Sequence, residues 1–104
     1  MIDEARIQEM KSLFGESEFG ELVDLFREEA DALVSGLPGR TGTDLVASLH
    51  AIRGSAENMG LRDLSALCRA GEAHAKDGMN VDIAPILSAF DDSLRMLRDY
   101  VGPG

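Results

Sequence analysis

The chain has 104 residues, a formal net charge of −9, 44% apolar residues, only 5% aromatic residues and no tryptophan. That length allows one small core and not two, and the shortage of aromatic residues makes the core aliphatic. The negative charge argues against nucleic acid and anionic membrane surfaces as partners, and no stretch approaches the ~20 apolar residues of a membrane span.

The opening Met1-Ile2-Asp3-Glu4-Ala5 is acidic and lacks the basic-then-apolar order of a secretion signal. Cys68 is the only cysteine, so no internal disulfide can form. This fits a reducing compartment, and a cytoplasmic location is expected.

In chain order, residues 3–14 read as a short amphipathic helix with Ile7, Met10 and Phe14 on one side, closed by Gly15. Ser17 is placed to cap a second helix that carries Leu22, Leu25, Phe26, Ala30 and Leu33 at helical spacing. The breaker-rich run Gly36-Leu37-Pro38-Gly39-Arg40-Thr41-Gly42 reads as a loop. Thr43 then caps the next helix, with Asp44 favourably placed in its first turn.

That helix buries Leu45, Leu49, Ile52, Ala56 and Met59 in one sector and ends at Gly60, a C-terminal cap. The following helix brings Leu61, Leu64, Leu67, Cys68 and Ala75 to one side and ends by Gly78. Asp82 caps the last helix, Pro85 is tolerated in its first turn, and Ile83, Ile86, Leu87, Phe90, Leu94, Leu97 and Val101 form its stripe. Gly102-Pro103-Gly104 ends it. No strand, repeat, low-complexity tract or linker interrupts the pattern. Long helices with short connections predict an all-α antiparallel four-helix bundle with a short extra N-terminal helix. Residues 1–104 form its single domain, and Met1 and the short tail favour a complete protein.

The run His50-Ala51-Ile52-Arg53-Gly54-Ser55-Ala56-Glu57-Asn58-Met59-Gly60 is the most telling segment. His50, Arg53, Gly54 and Glu57 gather opposite the apolar sector. Gly54 lies one turn after the histidine, although a glycine inside a helix costs roughly 1 kcal/mol relative to alanine. An unobstructed imidazole beside a guanidinium is what a phosphoryl acceptor needs, and an exposed histidine is largely neutral at neutral pH.

This run, followed by Leu64-x-x-Leu67-Cys68-x-x-x-Glu72, resembles the histidine phosphotransfer (HPt) domain family. Its pattern is His-x-x-Lys-Gly-Ser-small, then Gly, then a Leu-x-x-Leu-Cys-x-x-x-Glu-type helix. The resemblance implies a four-helix bundle that relays a phosphoryl group between receiver-domain aspartates without binding nucleotide. It makes His50 the phosphoacceptor, Gly54 the clearing glycine and Arg53 the counterpart of the usual lysine, stabilising phosphoryl charge. The implied partners are response-regulator receiver domains and a sensor histidine kinase. No cofactor is expected on this chain; a divalent metal (Mg) is expected on the receiver.

Three positions depart from the pattern. Arg53 replaces an ammonium with a planar fork, Glu57 stands where a small residue is usual, and Gly71 replaces a common apolar residue, which predicts weaker packing. Val46, Ala47 and Ala51 are expected to rim His50 as a modest patch for a transient partner. Glu57 is expected on the same partner-binding face, holding Arg53 at i+4 and partly opposing phosphate on His50.

Other residues read as structural. Ser55 and Asn58 flank the site in supporting roles, and Cys68 reads as a buried small hydrophobe. His74, with Asp77 at i+3 and Gly78 at i+4, lacks the cation. Two histidines and one cysteine match no zinc pattern. A monomer is expected. The competing readings are a non-catalytic adaptor that docks a receiver or kinase without carrying phosphate, and a plain structural bundle.

Overall fold

A computed structural model describes residues 2–101. It contains four helices: α1 (Glu4–Gly36), α2 (Gly42–Asn58), α3 (Arg62–Lys76) and α4 (Ala84–Tyr100), with a short 3-10 turn at Leu37–Gly39. Helix α2 packs against α1 and α3, and α4 packs against the same two, so α1 and α3 sit diagonally across the bundle. Glu4, at the start of α1, accepts a hydrogen bond from Tyr100 at the end of α4, as antiparallel packing requires. The all-helical four-helix architecture is the one the apolar stripes predict.

Packing follows the stripes in most places. Leu45, Leu49, Ile52, Ala56 and Met59 are all buried, as are Ile86, Phe90 and Leu97 of α4. Phe26 and Phe90 meet at 6.1 Å between ring centroids, tilted by 57°, one of the geometries that aromatic quadrupoles favour. Two residues break the pattern: Phe14 and Leu25 fall on the helical period but are 47% and 50% exposed. Both side chains are left open to solvent.

The expected short N-terminal helix is present, and Gly15 breaks it from the next one. Both lie in the 33-residue α1, bent at Gly15, which takes φ 83° and ψ 163°. Ser17, expected as a cap, lies inside α1 and is exposed. The cap is Asp3, whose side chain accepts from the Arg6 backbone N–H at 3.2 Å. The arm before the bend clamps the turn between α2 and α3. Asp3 N–H donates to the Gly60 carbonyl at 2.7 Å, Arg6 Nε to the Asn58 carbonyl at 3.0 Å, and Arg62 pairs with Asp3 at 3.1 Å. Ile2 bridges to Leu61. The arm therefore steadies the C-terminal end of α2.

Helix boundaries were partly legible. Gly60 has φ 72°, and the bonds Gly60 N–H to Glu57 O (3.1 Å) and Leu61 N–H to Ala56 O (2.9 Å) form a Schellman cap. Gly78 repeats this at the end of α3, with Met79 N–H on His74 O at 2.9 Å. Thr43, expected to cap α2, lies within it; Thr41 takes the N-cap position and makes no side-chain bond. Asp82 also lies outside the N-cap position of α4, which Ile83 takes, but its carboxylate accepts from Ala84 N–H at 3.2 Å. Gly102-Pro103-Gly104 and Met1 lie outside the described residues.

Gly71 overturns the expectation of weakened packing. A Cβ there would lie 3.1 Å from Val81 Cγ1 and 3.2 Å from Leu49 Cδ1. The missing side chain lets α2 and the segment before α4 close onto α3.

Candidate functional site

Helix α2 is buried along one side by its aliphatic stripe, which fixes what the other side presents. His50 is exposed on that side, with 65% of its side chain accessible. Gly54, one turn on, is also exposed, and a Cβ built on it would meet nothing within 4 Å. The space over the ring is open.

Three side chains converge below that ring. Glu72 of α3 is only 8% accessible; its Oε1 lies 3.0 Å from His50 Nδ1 and its Oε2 accepts from Arg53 Nε at 3.0 Å. Arg53 Nη2 in turn lies 2.8 Å from His50 Nδ1. Both ring contacts fall on Nδ1, leaving Nε2 without a hydrogen bond among the described residues. A neutral imidazole nitrogen either donates or accepts. If Nδ1 donates to Glu72, Nε2 holds the free lone pair; if Nδ1 accepts from Arg53, Nε2 holds the proton.

The electrostatics follow from burial and pairing. Burial pushes the Glu72 carboxyl up, but the hydrogen bonds from Arg53 and His50, with the nearby positive charge, outweigh it and hold the group below the ordinary glutamate value. The same pair holds the Arg53 guanidinium more firmly charged. Cys68, one turn before Glu72 on α3, is buried, and burial pushes its thiol up to about 12.

Glu57 does less to Arg53 than its i+4 spacing predicts. It contacts Arg53 at 3.4 Å but accepts more closely from Arg69 at 2.9 Å and from Ser65 at 3.2 Å. The Arg69 hydrogen bond is the leading cause of its lowered pKa. The principal partner of Arg53 is Glu72, which a reading of near neighbours along α2 misses. Its sequence signal is its place on the apolar face of α3, four residues after Cys68. An acidic residue on such a face calls for a charged partner.

Beside the ring, a shallow cleft of about 620 Å³ runs between α2 and α3, lined among others by Val46, Ala47, His50, Glu72, Ala75 and Lys76. Val46 and Ala47 thus border His50, whereas Ala51 is exposed but outside this cleft. Asn58 serves the clamp through its backbone carbonyl, Ser55 is half-buried, and His74 is exposed on α3. No three His, Cys, Asp or Glu side chains among the described residues converge as a metal-binding set. None of the described helices is long and apolar enough to cross a membrane.

Charge is unevenly distributed around the bundle. Helix α1 holds nine acidic and three basic residues, whereas α3 holds two acidic and three basic. Most of the chain's negative charge therefore lies on the helix diagonal to α3, leaving the histidine face close to neutral.

An exposed histidine backed by a buried carboxylate and a guanidinium thus stands on one face of a four-helix bundle. The family model of the Hpt domain matches residues 21–100, and the chain belongs to the Hpt domain family. Hpt domains act in phosphotransfer within two-component phosphorelays, where they interact with receiver domains and kinases. The comparisons with curated proteins and with solved structures return no match. The match begins within α1, so the arm that clamps the α2–α3 turn lies outside it.

Proposed function

We propose that this chain is a monomeric cytoplasmic phosphohistidine carrier, with residues 1–104 acting as one unit. It takes a phosphoryl group from a receiver-domain aspartate onto His50 and passes it to another receiver. The observation that carries this reading is the open Nε2 of His50, with both ring contacts gathered on Nδ1 and no side chain at Gly54.

In the forward step the Nε2 lone pair attacks phosphorus in line. The phosphorus–oxygen bond to the aspartate breaks, and its electron pair returns to the carboxylate. Glu72 acts as a positioning residue: by accepting a hydrogen bond from Nδ1–H it keeps the lone pair on Nε2. Arg53 turns from Nδ1 to the transferring phosphoryl oxygens, where a guanidinium fork stabilises charge. Gly54 leaves room for the receiver, which brings the aspartate and a divalent metal (Mg) of its own. Val46 and Ala47 form the near apolar rim, with Ala51 and Glu57 further along the docking face. The reverse step delivers the group to the second receiver.

The test is chemical. Incubation with a phosphorylated receiver should place acid-labile, base-stable phosphate on the wild-type chain and none on His50→Gln. Receiver binding with no phosphate on the wild type would replace this reading with that of a non-catalytic adaptor.

A further inference from the structure

Arg53 is not the only cation at the Glu72 carboxylate. Lys76, in the last turn of α3, places Nζ 3.5 Å from Glu72 Oε1. That same oxygen faces His50 Nδ1 at 3.0 Å, while Arg53 occupies the other oxygen. Lys76 also lines the cleft beside His50. Its side chain is 61% exposed and has no other ion pair among the described residues. Its ammonium stands in solvent at the rim of the buried carboxylate, where screening weakens its hold on Glu72.

Building on the function proposed above, we propose that Lys76 is a second phosphoryl-binding cation. It rests on Glu72 while His50 is free and moves to a phosphoryl oxygen once Nε2 is loaded. Loading brings about two negative charges to a ring already backed by an ionised, buried glutamate. A compact ammonium with three donors on a flexible stem can change partners without moving the helix.

The consequence is a longer-lived phosphohistidine. In hydrolysis, water attacks phosphorus, the nitrogen–phosphorus bond breaks with its electron pair returning to Nε2, and the proton lost by water goes to solvent. Protonation of the ring at Nδ1 makes it a better leaving group, and Glu72 favours that protonation. A cation at the phosphoryl oxygens opposes it and holds the group in place.

The experiment loads the full chain with phosphoramidate, a small donor from which Nε2 takes the phosphoryl group as ammonia leaves. The half-life of phospho-His50 is then followed at neutral pH by intact mass. Lys76→Met should shorten it by about three- to tenfold, and Lys76→Arg should restore it to within about twofold. Arg95→Met, which removes an exposed cation of α4 paired with Asp92, should leave it unchanged. An unaltered half-life in Lys76→Met, no rescue by arginine, or an equal loss in Arg95→Met would each overturn the inference. A wild-type chain that takes up no phosphate would instead overturn the proposed function, and this inference with it.

Discussion

His50 and Glu72 meet across the α2–α3 interface, imidazole Nδ1 to carboxylate Oε1 at 3.0 Å. The proposed carrier role requires this carboxylate to select the tautomer with the proton on Nδ1, whereas a free histidine side chain prefers it on Nε2. Ring nitrogen chemical shifts should therefore report an Nδ1–H ring in the wild type. Glu72→Ala should shift them toward Nε2–H and slow phosphate uptake by about tenfold, since the nucleophilic nitrogen is then protonated in most molecules. Unchanged shifts in Glu72→Ala would remove the positioning role.

The same carboxylate makes stability depend on pH. Its folded pKa lies below the ordinary value of 4.5, so its contribution is complete above that pH and disappears as the pH falls through the folded value. Glu72→Gln should cost about 1–2 kcal/mol at pH 7 through the weakened bonds to Arg53 and His50. In denaturant titrations this gap should narrow below about pH 4.5.

Much of this arrangement was legible in the sequence because it is local. The stripe from Leu45 to Met59, the Gly60 and Gly78 caps, and the His50–Arg53–Gly54 spacing are all set within a few helical turns. Phe14 and Leu25 stay exposed despite their spacing, because helical period gives a direction along one helix, while burial needs a facing helix. Glu72 lies 22 residues from His50, and the nearer acid, Glu57, drew the pairing with Arg53. Desolvation decides between them, since Glu72 is 8% accessible and Glu57 41%. Gly71 is illegible for the same reason: its use is to admit Val81 and Leu49, contacts that only the packed helices reveal.

The two helical glycines should respond oppositely to alanine. At Gly54 nothing lies within 4 Å of the new Cβ, so Gly54→Ala should stabilise the fold by about 0.5–1 kcal/mol through helix propensity. At Gly71 the Cβ is forced against Leu49 and Val81, and Gly71→Ala should destabilise by about 1 kcal/mol despite the same propensity gain. Denaturant midpoints moving in the same direction would contradict this account. A bulky Gly54→Leu leans toward His50, because helical side chains tilt toward the N-terminus. It should block transfer from a receiver while sparing uptake from phosphoramidate.

Glu57→Ala should speed phosphate uptake from a receiver by only about twofold. The carboxylate is two turns from His50, exposed, and held mainly by Arg69 and Ser65, so its pull on Arg53 is screened. A slower rate would mean that Glu57 helps bind the partner, and a tenfold gain would mean that it restrains Arg53 more strongly than its 3.4 Å contact implies.

Cys68 offers a readout of the packing that supports the site. Its thiol is buried beside the Arg53–Glu72 pair, and burial pushes it up to about 12. Only the thiolate reacts with alkylating reagents, so native Cys68 should resist iodoacetamide at pH 8. Labelling then proceeds through opening of the α2–α3 interface, at a rate set by the population of the open form. Gly71→Ala, which strains that interface, should raise the labelling rate by about fivefold if its cost is near 1 kcal/mol. Gly54→Ala should lower it. Rapid labelling of the wild type in the absence of denaturant would show that the thiol, and with it the base of the histidine site, is open to solvent.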